Sequence, residues 1–179
     1  RRDLELSTLF DVLDTSRFRG DLEQEGLNIR PGPWAALGAQ AVVKGEVRET
    51  DTGIEVELRL YELSQGSAPT FSETYRGTLG ELRGFMHAFD NEILRVLTGE
   101  AGHFDTRISY ARRVGPGRKD VYVSDYDGFG NRRISLGQGV AMLPTFGPEQ
   151  VWYSRLTEFG MFITHTGANE REIISGDGL

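Results

Sequence analysis

Asp125 and Asp127, in the run Asp125-Tyr-Asp-Gly-Phe-Gly-Asn131, are the carboxylates whose spacing comes nearest to a metal-binding loop. A helix-loop-helix calcium site needs oxygen ligands at its first, third and fifth positions, glycine at the sixth and an acid at the twelfth. Counted from Asp125, the fifth position is Phe129 and the twelfth is Leu136, so two ligands remain and no metal site is expected. An Asp-Gly step between strand-like runs is instead a hairpin turn, where glycine accepts positive φ. The three histidines, His87, His103 and His165, lie far apart, and no pair has ligand spacing. No Gly-x-Ser-x-Gly elbow supplies a serine nucleophile. Cysteine is absent, which removes thiolate catalysis, disulfides and cysteine-based zinc sites. The run from Gly137 to Met142 lacks the third glycine and the following helix of a dinucleotide fingerprint, and Gly115-Pro-Gly-Arg-Lys119 lacks a phosphate loop's ending. The expectation is a chain without catalytic residues, metal or cofactor.

Binding is the remaining class. The 179 residues carry a formal net charge of -7, a balance unsuited to nucleic acid or an anionic membrane surface. Basic pairs at Arg1-Arg2, Arg112-Arg113 and Arg132-Arg133 are interrupted by acids and read as solvated. No apolar run approaches the roughly 18 to 20 residues of a membrane helix, so no direct membrane insertion is expected. Val140, Ala141, Met142 and Leu143 form four consecutive apolar residues between Gly139 and Pro144, with Thr145 following. Such a run is either buried or a partner-binding surface.

The elements that must position these residues differ between the two ends of the chain. Leu4, Leu6, Leu9, Phe10 and Leu13 suit the tail of an amphipathic helix. Pro31 and Pro33 precede a short helix that Gly38 stops. A β-branched run from Ala41 leads to the Asp51-Thr-Gly turn. Ile54, Val56, Leu58 and Leu60 then alternate with Glu55, Glu57 and Arg59, a strand with one aliphatic face. Residues 70–78 read as its antiparallel partner. Leu82, Phe85, Met86, Phe89, Ile93, Val96 and Leu97 form one stripe on a helix closed by Gly99. Two helices on one face of a small sheet make an α+β domain, 1–102.

Residues 103–179 show only short strand-like runs broken by Gly, Asp-Gly and Pro. Asp127–Val140 overlies Thr166–Leu179 when the chain is slid by 39 residues: Gly128 falls on Gly167, Arg132 on Arg171, Ile134 on Ile173, Gly137 on Gly176 and Gly139 on Gly178. Upstream, Val123 falls on Phe162. A period near forty in all-β sequence marks propeller blades of four antiparallel strands. The segment holds one to two blades, an incomplete β-propeller, and implies a longer parent.

The chain resembles the TolB family. "RRDLELSTLFDVLD" is similar to the family's first helix and the strand after it; "WAALGAQAVVKGEV" and "VELRLYEL" to its helix-strand-strand core. "LTGEAGHFDTRISY" looks like the junction between its two domains, and "SDYDGFGNRRIS" with "LPTFGP" like parts of blade one. Departures mark a divergent relative: Phe146 leads to "GPEQVWYS" where the family has a Ser-Pro-Asp-Gly turn, and "THTGANER" replaces an Asp-rich one. The resemblance implies a non-enzymatic periplasmic scaffold of a Tol-Pal-like system. It also implies that the propeller face bearing Val140, Ala141, Met142, Leu143 and Thr145 meets a Pal-like lipoprotein. A TolA-like protein would engage a segment expected to be missing before Arg1, along with the opening strand and a removed signal peptide. The alternatives are the propeller of a TolB-like serine peptidase whose catalytic domain lies beyond Leu179, or a part of another envelope or motility assembly.

Overall fold

The computed structural model describes residues 1–14, 16, 24–135, 137 and 139–166, and the backbone of 172–176. It divides into two units, Arg1–Asp105 and Thr106–Leu179.

The first unit is organised by one hairpin. Strand β1 (Ala41–Thr50) pairs antiparallel with β2 (Gly53–Glu62), closing at Thr50 opposite Gly53. Gly53 has φ 151, and a Cβ there would lie 2.2 Å from the Gly77 carbonyl oxygen, so the turn requires glycine. Strand β3 (Phe71–Gly77) adds to the other side of β2, giving the order β1-β2-β3. The period of two puts Ile54, Val56, Leu58 and Leu60 on one face, all buried. Helix α3 (Leu82–Thr98) covers them with Phe89 and Ile93, and the rest of its apolar stripe packs around the same cluster. Phe71 lies 5.5 Å from Phe89 between ring centroids, and Tyr75 stacks on Phe85 at 5.2 Å. Thr78 and Glu81 form a reciprocal capping box in the turn before α3, and Gly99 at φ 80 ends the helix.

Helix α2 (Pro31–Ala36) packs on the opposite face, not beside α3. There Trp34 and Ile29 meet Val42 and Tyr61 in a separate cluster. Tyr61 follows Leu60 directly, and adjacent strand residues point to opposite faces, so β2 serves one helix with each face. The Tyr61 hydroxyl donates to the Leu27 carbonyl at 2.5 Å, and Trp34 Nε1 donates to Glu25 at 3.0 Å. The amino-terminal helix is also shorter than its sequence suggests. Helix α1 spans only Arg2–Leu6; Thr8, at φ 60, turns the chain away. Leu4 and Phe10 reach the α3 cluster, whereas Leu6 and Leu9 are exposed. The strand expected after this helix does not form in residues 10–14, which join no ladder.

The second unit contains no helix among its described residues. Strands β4 (Arg107–Gly115) and β5 (Arg118–Asp125) form a hairpin, and the two-residue β6 (Arg132–Arg133) pairs with β5. Strands β7 (Val140–Phe146), β8 (Val151–Thr157), β9 (Gly160–His165) and β10 (Glu172–Gly176) follow as a four-stranded antiparallel meander. A single parallel pair, Lys119 with Val140, joins the two sets. Val121 of the first set is buried against Ala141 and Tyr153 of the second. The strands thus form one open seven-stranded sheet, in the order β10-β9-β8-β7-β5-β4 with β6 on β5, whose two antiparallel sets meet as in an incomplete β-propeller.

The repeat needs one correction. Val123 was matched to Phe162, but Phe162 pairs with Arg155 and so shares the face that Tyr153 and Ala141 turn toward the first blade. The equivalents of Val121 and Val123, which face the next blade, are Met161 and Ile163. One residue of slip flips a strand's faces, and the sequence overlay was set by glycine turns rather than by strands. Its matches at Gly167, Arg171 and Gly178 lie outside the described residues.

Candidate partner-binding surface

Strand β7 divides the five sequence candidates. Ala141 is buried against Val121 and Tyr153, so it is packing rather than surface. Val140 and Met142 are half-buried on the strand's other face, Thr145 is exposed, and Leu143 is 72% exposed. The register of β7 on β8 runs Val140 to Leu156, Ala141 to Arg155 and Met142 to Ser154, then skips to Thr145 opposite Trp152. Leu143 and Pro144 are the bulge, with Leu143 at φ 55. Phe146 at the strand end is 41% exposed, and the Arg107 guanidinium lies 5.6 Å from its ring centroid.

The polar motifs take structural positions. In the Asp125–Asn131 turn, the Phe129 amide donates to Asp127 Oδ1 at 2.9 Å, and the Gly128 amide donates to the Asp125 carbonyl at 2.9 Å. Gly128 and Gly130 both have positive φ. His165 packs its ring 5.0 Å from Trp152, and His103 is exposed. The basic pairs are exposed, and one member of each of two pairs also makes a contact, as does Arg118. Arg133 and Arg118 reach the buried carboxylate of Asp120 at 3.3 and 3.6 Å, and Arg112 lies over Tyr122 at 4.3 Å.

One cluster escaped the sequence reading. His87 is buried and its Nδ1 pairs with Asp3 of α1 across 84 positions, one turn of helix away from the buried Asp90. Burial pushes the Asp90 carboxyl from 3.8 up to about 6; Asp3 pushes it up further and His87 pulls it down. The only sequence signal was the i, i+3 spacing of His87 and Asp90, because nothing local points to Asp3. This cluster fastens α1 to α3.

Residues 1–68 match the TolB amino-terminal domain. The Tol-Pal system protein TolB of Pelagibacter ubique (strain HTCC1062) is 31% identical over 160 residues, covering 88% of this chain and 36% of that protein. The one from Anaeromyxobacter sp. (strain K) is 38% identical over 153 residues, covering 83% of this chain and 34% of that protein. The chain therefore spans about a third of the length of these curated relatives. The crystal structure of TolB from Acinetobacter baumannii matches with a TM-score of 0.71 over 84% of this chain and 40% of that one. Its 24% identity supports the fold alone. With the domain match, the relatives and the architecture in agreement, the chain is a divergent relative of the TolB family, carrying its amino-terminal α+β domain and an incomplete part of its β-propeller.

Proposed function

We propose that this chain belongs to a non-enzymatic periplasmic scaffold of a Tol-Pal-like envelope system that holds protein partners on its propeller face. The observation that carries this reading is similarity to Tol-Pal system proteins over more than four-fifths of the chain. The α+β domain, assigned to 1–102, is one rigid body, and the blades from 103 onward present loops and strand edges of their own. Rigid sheets carrying variable edges suit recognition, because the scaffold spends little conformational entropy on binding. The exposed part of β7, at Leu143, Thr145 and Phe146, supports a partner-binding role for this strand. A Pal-like lipoprotein is the partner for the propeller face, and a TolA-like protein is the partner for a segment preceding Arg1. The test is affinity capture of the full-length protein from gently solubilised envelopes. Co-recovery of a Pal-like lipoprotein is expected, and recovery of no envelope protein under mild conditions overturns the reading.

A further inference from the structure

The chain divides between Asp105 and Thr106, and the residues leading to that point are not a loose tether. Gly99 ends α3 at φ 80, and the chain returns to the helix at Asn91. The Phe104 amide donates to Asn91 Oδ1 at 2.9 Å, and Asn91 Nδ2 donates to Asp105 Oδ1 at 3.0 Å. One amide side chain thus holds the backbone of one residue with its acceptor and the carboxylate of the next with its donor. Gly102 permits the approach: a Cβ there would lie 2.5 Å from Asn91 Cα and 2.3 Å from its Oδ1. Phe104 is buried as well. On the other side of the division, the Tyr126 amide donates to the Thr106 carbonyl at 3.0 Å, and Arg107 of β4 pairs with Asp125 of β5. The chain is therefore held to α3 as far as Asp105 and to the second unit from Thr106 onward. Between the two lies one planar peptide with a soft dihedral at each end.

We propose that Asn91 is a positioning residue that confines motion between the two units to the single link Asp105–Thr106. Hinges are a few residues at element ends that absorb backbone rotation. Units joined by a free linker move independently by default, whereas a linker stapled to its own helix has no slack. A displacement of α3 then passes to β4 through one peptide. Released from Asn91, residues 99–105 become a tether whose spread grows with the number of residues freed.

The experiment uses the full-length protein in a cysteine-free background, with spin labels on Glu73→Cys in the first unit and Glu149→Cys in the second. Pulsed electron paramagnetic resonance reads the distribution of distances between them, and hydrogen exchange reads the Phe104 amide. The unsubstituted protein should give a narrow distribution. Asn91→Ala should broaden it by several ångströms and speed Phe104 exchange by about tenfold, the loss of one hydrogen bond. Asn91→Asp keeps an acceptor for the Phe104 amide but sets a second carboxylate against Asp105. Exchange there should stay slow while the distribution broadens less than in Asn91→Ala. Faster exchange in Asn91→Ala with an unchanged distribution overturns the proposal, because the side chain would then act only within the first unit. A broad distribution in the unsubstituted protein overturns it too. Should Asn91→Ala fail to fold, Asn91→Asp decides alone, and a distribution as narrow as that of the unsubstituted protein overturns the proposal.

Discussion

Replacing Asp90 by asparagine should raise the stability of the first unit at neutral pH and leave it nearly unchanged in mild acid. The carboxyl is buried on α3 and faces Asp3 and His87. Its displacement from 3.8 to about 6 means that folding takes up a proton in that interval. A group whose folded pKa is raised contributes stability that is fully present below the unfolded value and is lost as pH rises through the folded one. The stability of the first unit should therefore fall between about pH 4 and 6 and then level off. At about 1.4 kcal/mol per pH unit the full loss is about 3 kcal/mol, an upper figure for a carboxyl that sits in a cluster of charges. Asparagine keeps the shape and a donor toward Asp3 but carries no charge. Urea unfolding followed by Trp34 fluorescence, in a Trp152→Phe background, measures the first unit at successive pH values. A slope between pH 4 and 6 that persists unchanged in Asp90→Asn would refute the assignment of this titration to Asp90.

Further outcomes follow from packing. Phe89→Ala, which empties a fully buried site between Phe71 and the β2 aliphatic face, should cost about 3 to 5 kcal/mol by urea unfolding. Glu25→Gln loses the carboxylate that accepts from Trp34 and Arg30, and should cost about 1 to 3 kcal/mol and shift the Trp34 emission. Gly139→Ala sets a Cβ 2.1 Å from the Leu156 carbonyl oxygen and should destabilise the β7–β8 pairing, whereas Gly117→Ala meets no neighbour and should cost only about 1 kcal/mol from its positive φ. Val121→Ala should cost about 1 to 3 kcal/mol, whereas Ile163→Ala should cost well under half as much, because Val121 is fully buried and Ile163 is 39% exposed. Differential scanning calorimetry on the four variants of the last two pairs separates these cases.

The sheet face of β2 shows how local pattern becomes fold. Its alternation of aliphatic and charged residues was plain in the chain, and so were the α3 stripe and the turns at Gly53 and Gly99. These features depend on neighbours within a few residues, where side-chain direction follows backbone period. The amino-terminal helix was overread for a related reason: an apolar run says nothing about where a non-glycine residue such as Thr8 will take positive φ. For the binding strand, the apolar run Val140–Leu143 was visible, but its division into one buried alanine and one projecting leucine was not.

Sequence alone determined the two architectural classes, the recurring blade unit and the family likeness, because strand and helix periods, turn glycines and motif order are written along the chain. Tertiary structure decided which helix takes which face of the first sheet, that Asp3 meets His87 across 84 positions, which side of β9 stays open, and that a bulge lifts Leu143 outward. Each of those depends on residues distant in sequence competing for the same space, and a one-residue change of register, invisible to composition, reverses the outcome.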